Sequence, residues 1–353
     1  MIKSLHISGF KSFASQEVPL NSVTLLCGLN NSGKSSILQA LRMYCNSAEG
    51  RDPLISGYGT IDELRSKYVL PTQPISLKLT FADGATDALE LRATDFQCPN
   101  RSPISLFLSA ERLGPRVSLP TESGYIKRPS TGEYGEHVLE FLDSLRDCAV
   151  PDILHHLSSR GSTLEYEVAG WLSEIAPGTE IHFEVDKKND SSKLQFNSFR
   201  ATNAGFGLSY ALPIIAAILG ASTKPQDGFW KNQWDDNWDT ARKERGTLLI
   251  IENPEAHLHP SAQTAIGRLI AKGGFAGLQI VVETQSEHIM DGVRLEARQH
   301  KDGHKNITFN YLSRSNEGFS SIENPVLTES GKLSHWPSGF FDQSLKNKMQ
   351  LAQ

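Results

Sequence analysis

Gly28-Leu29-Asn30-Asn31-Ser32-Gly33-Lys34-Ser35 fits the pattern GxxxxGK(S/T) in full, and no other stretch constrains the fold so tightly. The apolar run 23–27 ahead of it reads as a buried strand. Behind it, Ile37, Leu38, Leu41 and Tyr44 recur at three- and four-residue steps, which predicts a helix over 34–44 with one buried face. Strand, glycine loop and helix in that order suit a phosphate. Its oxygens need a concave set of backbone N–H donors at a helix N-terminus, and Gly28 and Gly33 permit the tight path that turns those donors inward. Lys34 then neutralises β- and γ-phosphates, and the Ser35 hydroxyl is placed for Mg²⁺. Residues Asn30, Asn31, Ser32, Gly33, Lys34, Ser35 and Ser36 are the expected nucleotide contacts.

The rest of the chain has an α/β rhythm. Two further apolar runs, 247–251 and 278–282, each end in a polar loop followed by a helical pattern, as strands of a mostly parallel sheet do. Ligands then sit at the carboxyl ends of the strands. Before them, Ile2, Leu5 and Ile7 read as a strand, and Ile75, Leu77, Leu79 and Phe81 alternate as a half-exposed strand should, with antiparallel strands expected to continue to Leu108. A Gly/Pro/Ser-rich stretch over 114–135 reads as a long loop. Helical patterns follow over 136–175, broken at Pro151 and Gly161, then strand-like stretches at 181–185 and 194–199. The expected division is 1–120, 121–202, 203–315 and a tail 316–353.

Composition narrows the function. With 35 Lys+Arg against 40 Asp+Glu the formal charge is -5, so no global basic field holds a polyanion, and any nucleic-acid contact has to be local. The longest apolar run, 211–221, is too short to span a bilayer and contains Pro213. Four scattered cysteines form no CxxC pair and no disulfide framework, and read as reduced thiols. MIKSLHISGFKSF lacks the apolar core of a signal peptide, so a cytoplasmic protein is expected.

A phosphate-bound Mg²⁺ also needs a carboxylate at the end of a buried strand. The stretch 247–252, TLLIIE, supplies Glu252 as the Walker B candidate. Asn253, Pro254 and Glu255 follow. A water attacking the γ-phosphate needs an acceptor, and Glu255 is the nearest carboxylate beyond Glu252.

Together, GLNNSGKSS, LLIIENPEAHLHP and VVETQSEHI resemble the ABC-type ATPase heads of the SMC/RecF and OLD (overcoming lysogenization defect) group. Within that group the tail GKLSHWPSGFFDQ is similar to a bacterial family with an uncharacterised C-terminal domain. The resemblance implies an ABC-type P-loop ATPase head of α/β class, with a mixed-sheet core, an antiparallel β part and an inserted helical subdomain. It implies ATP and Mg²⁺ as cofactors and a homodimer or higher oligomer, with two nucleotides between protomers, the P-loop of one facing a glycine-rich signature loop of the other. Residues 203–209, NAGFGLS, are similar to that signature, and Gly205, Gly207 and Ser209 at a helix start form a second anion-seeking surface or a plain capped turn.

Two departures stand out. Asn253 holds the place where ABC heads carry a catalytic glutamate, which leaves the base unassigned and implies slow hydrolysis. Gln285 holds the place of a switch histidine; it can hydrogen-bond a γ-phosphate or water but cannot take up a proton charge. Lys34, Glu255 and Gln285 are the candidate catalytic residues, and Ser35 and Glu252 the candidate metal ligands. Residues 109–116, SAERLGPR, resemble an element of the OLD group in which Arg112 reaches a phosphate or an interface carboxylate; an ordinary surface ion pair is the alternative. His257 and His259, spaced i, i+2, share no helical face and have no third ligand nearby.

The polar stretch 222–246 holds three of the five tryptophans. Trp230, Trp234 and Trp238 fall four apart, so one helix lines them on a stripe that either docks on its own domain or receives a partner. Three functions fit these observations: an ATP-driven dimeric switch controlling an effector, a nuclease or toxin, in antiphage defence, as the resemblance implies; a stand-alone nuclease or DNA-repair ATPase acting on nucleic acid; or a sensor that binds nucleotide without turnover.

Overall fold

The computed structural model describes residues 1–121, 129–226, 230, 233–337 and 343–351, with the backbone alone at 233–235 and 343–345. The chain opens with a hairpin, β1 (Ile2–Phe10) and β2 (Phe13–Pro19), and then drives inward as β3 (Val23–Gly28), which the glycine loop joins to α1 (Lys34–Ala48). A single turn, α2 (Ile61–Leu64), leads to β4 (Ile75–Phe81), β5 (Thr86–Leu91) and β6 (Phe96–Gln97). These complete an antiparallel sheet of order β2-β1-β4-β5-β6. The alternation of Ile75, Leu77, Leu79 and Phe81 is what gives that sheet one buried face.

The next strand, β7 (Ile104–Leu108), departs from expectation: it leaves the antiparallel sheet and runs parallel to a later strand, Thr247–Glu252, as the edge of the central sheet. Its local alternation, buried at Ile104, Leu106 and Leu108, looks the same in either setting. A strand's own pattern records which face is covered and not which strand lies beside it.

The middle of the chain adds β8 (Leu119–Pro120), α3 (Val138–Leu145), α4 (Leu164–Ile175), β9 (Ile181–Asp186), β10 (Ser191–Phe196) and β11 (Phe199–Arg200). The short strands form a small antiparallel sheet. Then come α5 (Phe206–Ala221), α6 (Gln233–Arg245), β12 (Thr247–Glu252), α7 (Pro260–Phe275), β13 (Gln279–Glu283), α8 (Glu287–Gln299), β14 (Ile307–Arg314), β15 (Ser320–Glu323) and α9 (Gln343–Leu351).

The central sheet has the order β15-β14-β3-β13-β12-β7 and is parallel except for β15. Because successive side chains of a strand point to opposite faces, it divides its residues between two cores. Leu26, Leu248, Ile250 and Val281 join α1 and the antiparallel sheet on one side. Leu25, Leu249, Ile251 and Val282 meet α3, α4, α5 and α7 on the other. Apolar all round from 211 to 221, α5 is buried along that stretch, the outcome expected of a helix with no polar face. No helix among the described residues is long and apolar enough to cross a membrane.

The tryptophan stretch resolves as a domain contact. Trp230 lies just before α6 and Trp238 within it; their rings meet edge-on at 5.9 Å, and the Arg242 guanidinium lies 4.3 Å from the Trp238 ring centre. Trp238 is 3% exposed and Trp230 packs against the same core. The partner-docking stripe is therefore corrected for these two residues, which cover their own domain; the Trp234 side chain lies outside the described residues.

Candidate functional site

The path of the chain from β3 into α1 is possible only with glycine at two points. Gly28 has φ 139°, and a Cβ there would lie 2.1 Å from the Leu312 carbonyl oxygen, because β14 pairs with β3 at that residue. Gly33 has φ 104°, and its Cβ would press into the Phe13 ring at 2.8 Å. Between them Asn31 adopts φ 62°, a left-handed conformation that asparagine tolerates better than most residues. The result is a concave loop at the N-terminus of α1, opening on a cavity of about 770 Å³ lined by Asn30, Asn31, Ser32, Gly33, Lys34, Ser35 and Ser36. Lys11, Arg65, Lys67 and Arg314 line the same cavity, so a chain of net negative charge concentrates cations where a polyphosphate would lie.

Lys34 is 3% exposed, and its ammonium donates to the Gly28 carbonyl at 3.0 Å and the Leu29 carbonyl at 2.9 Å. Burial lowers its pKa, while the Glu283 carboxylate, 3.9 Å away, favours the charged form. The Ser35 hydroxyl donates to Glu283 Oε1 at 3.1 Å. Sequence reasoning paired Ser35 with Glu252, and the structure places a different acid beside it. β13 lies between β3 and β12, with Glu283 in register with Leu26 on one side and Glu252 on the other. Glu283 is thus one strand nearer the loop. A signal was present, since VVE and LLIIE are both buried apolar runs ending in an acid. Glu252 accepts from the Ala110 amide at 3.2 Å. Burial raises the pKa of both acids.

Glu255 and Gln285 join the loop to the strand ends. Glu255 Oε2 accepts from the Thr284 hydroxyl at 2.7 Å and Oε1 from the Gln285 amide at 2.8 Å. The Gln285 side chain donates to Asn30 Oδ1 at 2.8 Å. One network therefore runs from the Walker B loop through the switch segment to the phosphate loop. Arg112 braces it from beneath and answers neither expectation for it. Only 2% exposed, it donates to the carbonyls of Ser109 and Glu252, each at 2.8 Å, and of Asn253 at 2.7 Å. Burial lowers its pKa to about 10. It is a buried strut that holds the end of β12.

The signature-like segment lines no part of the phosphate cavity. Gly205 caps α5, Gly207 lies in its first turn and Phe206 between them is 55% exposed. The Phe206 ring lies 5.4 Å from that of His257, and Tyr210 meets His257 edge-on at 4.4 Å, so helix start and HLHP loop form one surface. Ser209 is turned inward, its hydroxyl buried without a partner. His259 caps α7, with Nδ1 2.9 Å from the Ser261 hydroxyl. Phe340 and Phe341 of the tail lie outside the described residues; Trp336 is half exposed, with the Arg294 guanidinium 5.6 Å from its ring centre.

Among solved structures, the SMC head bound to the C-winged helix domain of ScpA superposes with a TM-score of 0.50 at 14% identity, covering 93% of this chain and 98% of that one. The fold is that of an SMC-type head. The SMC head domain from Thermotoga maritima matches at 13% identity over 91% of this chain and 98% of its own, with a TM-score of 0.46. An SMC head with an extended coiled coil from Pyrococcus furiosus, bound to the C-terminal domain of ScpA, matches at 12% identity over 100% and 99%, with a TM-score of 0.47. Family models match three segments of the chain. Residues 1–101, which carry the phosphate loop, match an "AAA ATPase domain". Residues 166–291, which carry the signature-like segment, Glu252 and Glu283, match "AAA domain, putative AbiEii toxin, Type IV TA system". Residues 303–351 match "Protein of unknown function (DUF3696)". A comparison with curated proteins finds no match. Residues 1–101 thus join a phosphate loop to a match with an ATPase domain model, on a chain whose fold is that of an SMC-type head.

Proposed function

We propose that this chain binds ATP with Mg²⁺, closes as a homodimer or higher oligomer around it, hydrolyses it slowly, and so controls an effector protein, a nuclease or toxin, in bacterial antiphage defence. One observation carries the reading: the continuous network from Asn30 through Gln285 to Glu255, set over a glycine-strained loop with Lys34 buried in it and Ser35 exposed at its mouth. A γ-phosphate entering that cavity meets the loop and the switch glutamine, whose amide Glu255 holds from behind. Ser35, with Glu252 or Glu283, supplies the hydroxyl and carboxylate oxygens that a hard cation prefers. When bound, Mg²⁺ neutralises charge developing on the phosphate oxygens.

Dimer closure is supported by the separation of the signature-like edge from the cavity in the same chain, which leaves Gly205, Phe206 and Gly207 free to face another protomer's nucleotide. Effector control rests on the resemblance to OLD proteins and on the toxin-associated family model over 166–291. SMC heads that bind ScpA are a precedent for a partner on this fold. The net charge of -5 argues against a stand-alone nucleic-acid enzyme.

A second reading, a sensor that holds ATP without turnover, is favoured by Glu255. Both of its oxygens are engaged by Thr284 and Gln285, and Asn253 beside it is no base. Turnover and native mass in ATP and in ADP separate the two. The switch predicts slow hydrolysis and an ATP-dependent dimer, both lost in Lys34→Ala, with ATP bound roughly 10- to 100-fold more weakly once a charge-assisted contact is removed. A dimer without turnover selects the sensor. A wild-type protein that binds no ATP overturns both.

A further inference from the structure

We infer that Glu283 is the acid on the metal side of the phosphate site, holding Mg²⁺ together with Ser35 in the position usually given to the carboxylate at the end of the Walker B strand. The inference rests on the reading of the cavity as an ATP site. Glu283 lines that cavity alongside Lys34 and Ser35, whereas Glu252 does not line it. Its Oε1 accepts from Ser35, and its Oε2 is buried with no hydrogen-bond partner. A carboxylate oxygen left bare in a site only 6% exposed is costly. The neighbouring cation does not relieve it, because the Lys34 ammonium is bonded to the carbonyls of Gly28 and Leu29 and reaches Oε1 only at 3.9 Å. The hydroxyl and the carboxylate oxygen together fit a hard cation, which describes Mg²⁺ beside a triphosphate.

Glu252 is placed for another task. Its carboxylate takes the Ala110 amide and its main-chain carbonyl takes the Arg112 guanidinium, so it ties the 109–112 loop to the end of β12. The sheet order makes the difference, since the strand next to β3 at this edge is β13 and not β12.

The test is ATP binding to the full-length protein by calorimetry, in EDTA and in excess Mg²⁺. The wild type is expected to bind more tightly with Mg²⁺. Glu283→Gln should lose that gain, roughly tenfold or more, while its affinity in EDTA holds or improves because a negative charge has left the phosphate site. Glu283→Asp, which keeps the charge, should restore part of the gain and so separates loss of the ligand from damage to the fold. Glu252→Gln should keep the gain. Full retention in Glu283→Gln with loss in Glu252→Gln overturns the inference while the ATP reading stands. Absence of ATP binding by the wild type in both buffers overturns the two together.

Discussion

The loops that lead into α1 and α5 are both glycine-bearing, and both deliver backbone N–H groups at a helix start, yet their glycines answer to different demands. At Gly28 and Gly33 the backbone has φ 139° and 104°, and any side chain would run into Leu312 or Phe13. At Gly205 φ is -65°, which every residue can adopt, and a Cβ there would meet nothing within 4 Å; at Gly207 it would meet the His257 carbonyl oxygen at 3.1 Å and a Leu258 methyl at 3.5 Å. The first loop explains itself from within its own chain. The second has, at Gly205, room that its own chain does not use. Around the first loop are titratable groups, Lys34 and Glu283 buried and Glu252 half-buried; beside the second the exposed group is the Phe206 ring.

The largest effect that would break this comparison is at Gly28. Gly28→Ala forces a left-handed conformation on alanine and a 2.1 Å clash with the backbone of β14, so it should cost about 3 kcal/mol or more. Chemical denaturation measures this directly, and a loss below about 1 kcal/mol would show that β14 can yield and that the loop is less rigid than its geometry implies.

A smaller effect comes from the acids beside the first loop. Glu283 has its pKa raised first by burial, and further by Glu252 and Glu255, against the pull of the Ser35 hydroxyl and Lys34. A proton is therefore held more tightly in the folded state than in the unfolded one. Stability of the nucleotide-free protein should be fully present below the ordinary value of 4.5 and fall as pH rises through the raised value. In Glu283→Gln that fall should be shallower, and unfolding followed between pH 4 and 8 decides it. Parallel wild-type and variant curves would mean that the buried acid is not strained in the way its environment implies.

Much of the fold was readable in advance, because the glycine loop, the buried strand 247–252 and the central helices are written in local periodicity and in residue types with few uses. What escaped was relational. Nothing in Ile104–Leu108 says that it pairs with β12, so it was expected to continue the antiparallel sheet. Nothing in the apolar run ending at Glu283 says that it lies between β3 and β12, and that position alone brings its acid to Ser35. Arg112 shows the same limit: an arginine that directly follows an acid, Glu111, reads as a surface ion pair or a ligand contact, and only the meeting of three carbonyls from two segments makes it a buried strut. Trp230 and Trp238 have a spacing that predicts one stripe, but which surface the stripe meets depends on a core built from distant residues.

The smallest effect on stability sharpens the comparison most. Gly205→Ala adds one methyl at φ -65° into open space and should change unfolding free energy by less than about 0.5 kcal/mol. ATP binding to the isolated protomer should be unchanged as well, since Gly205 lines no part of the cavity. If the α5 edge faces the nucleotide of a second protomer, the same methyl stands between two surfaces that must approach closely, and ATP-dependent dimer formation should weaken several-fold. Native mass at a series of protein concentrations in ATP measures it. A dimer of unchanged strength, in a variant with unchanged stability, would mean that the room at Gly205 serves no partner protomer, and the α5 start would then be an ordinary capped helix whose glycine is simply tolerated.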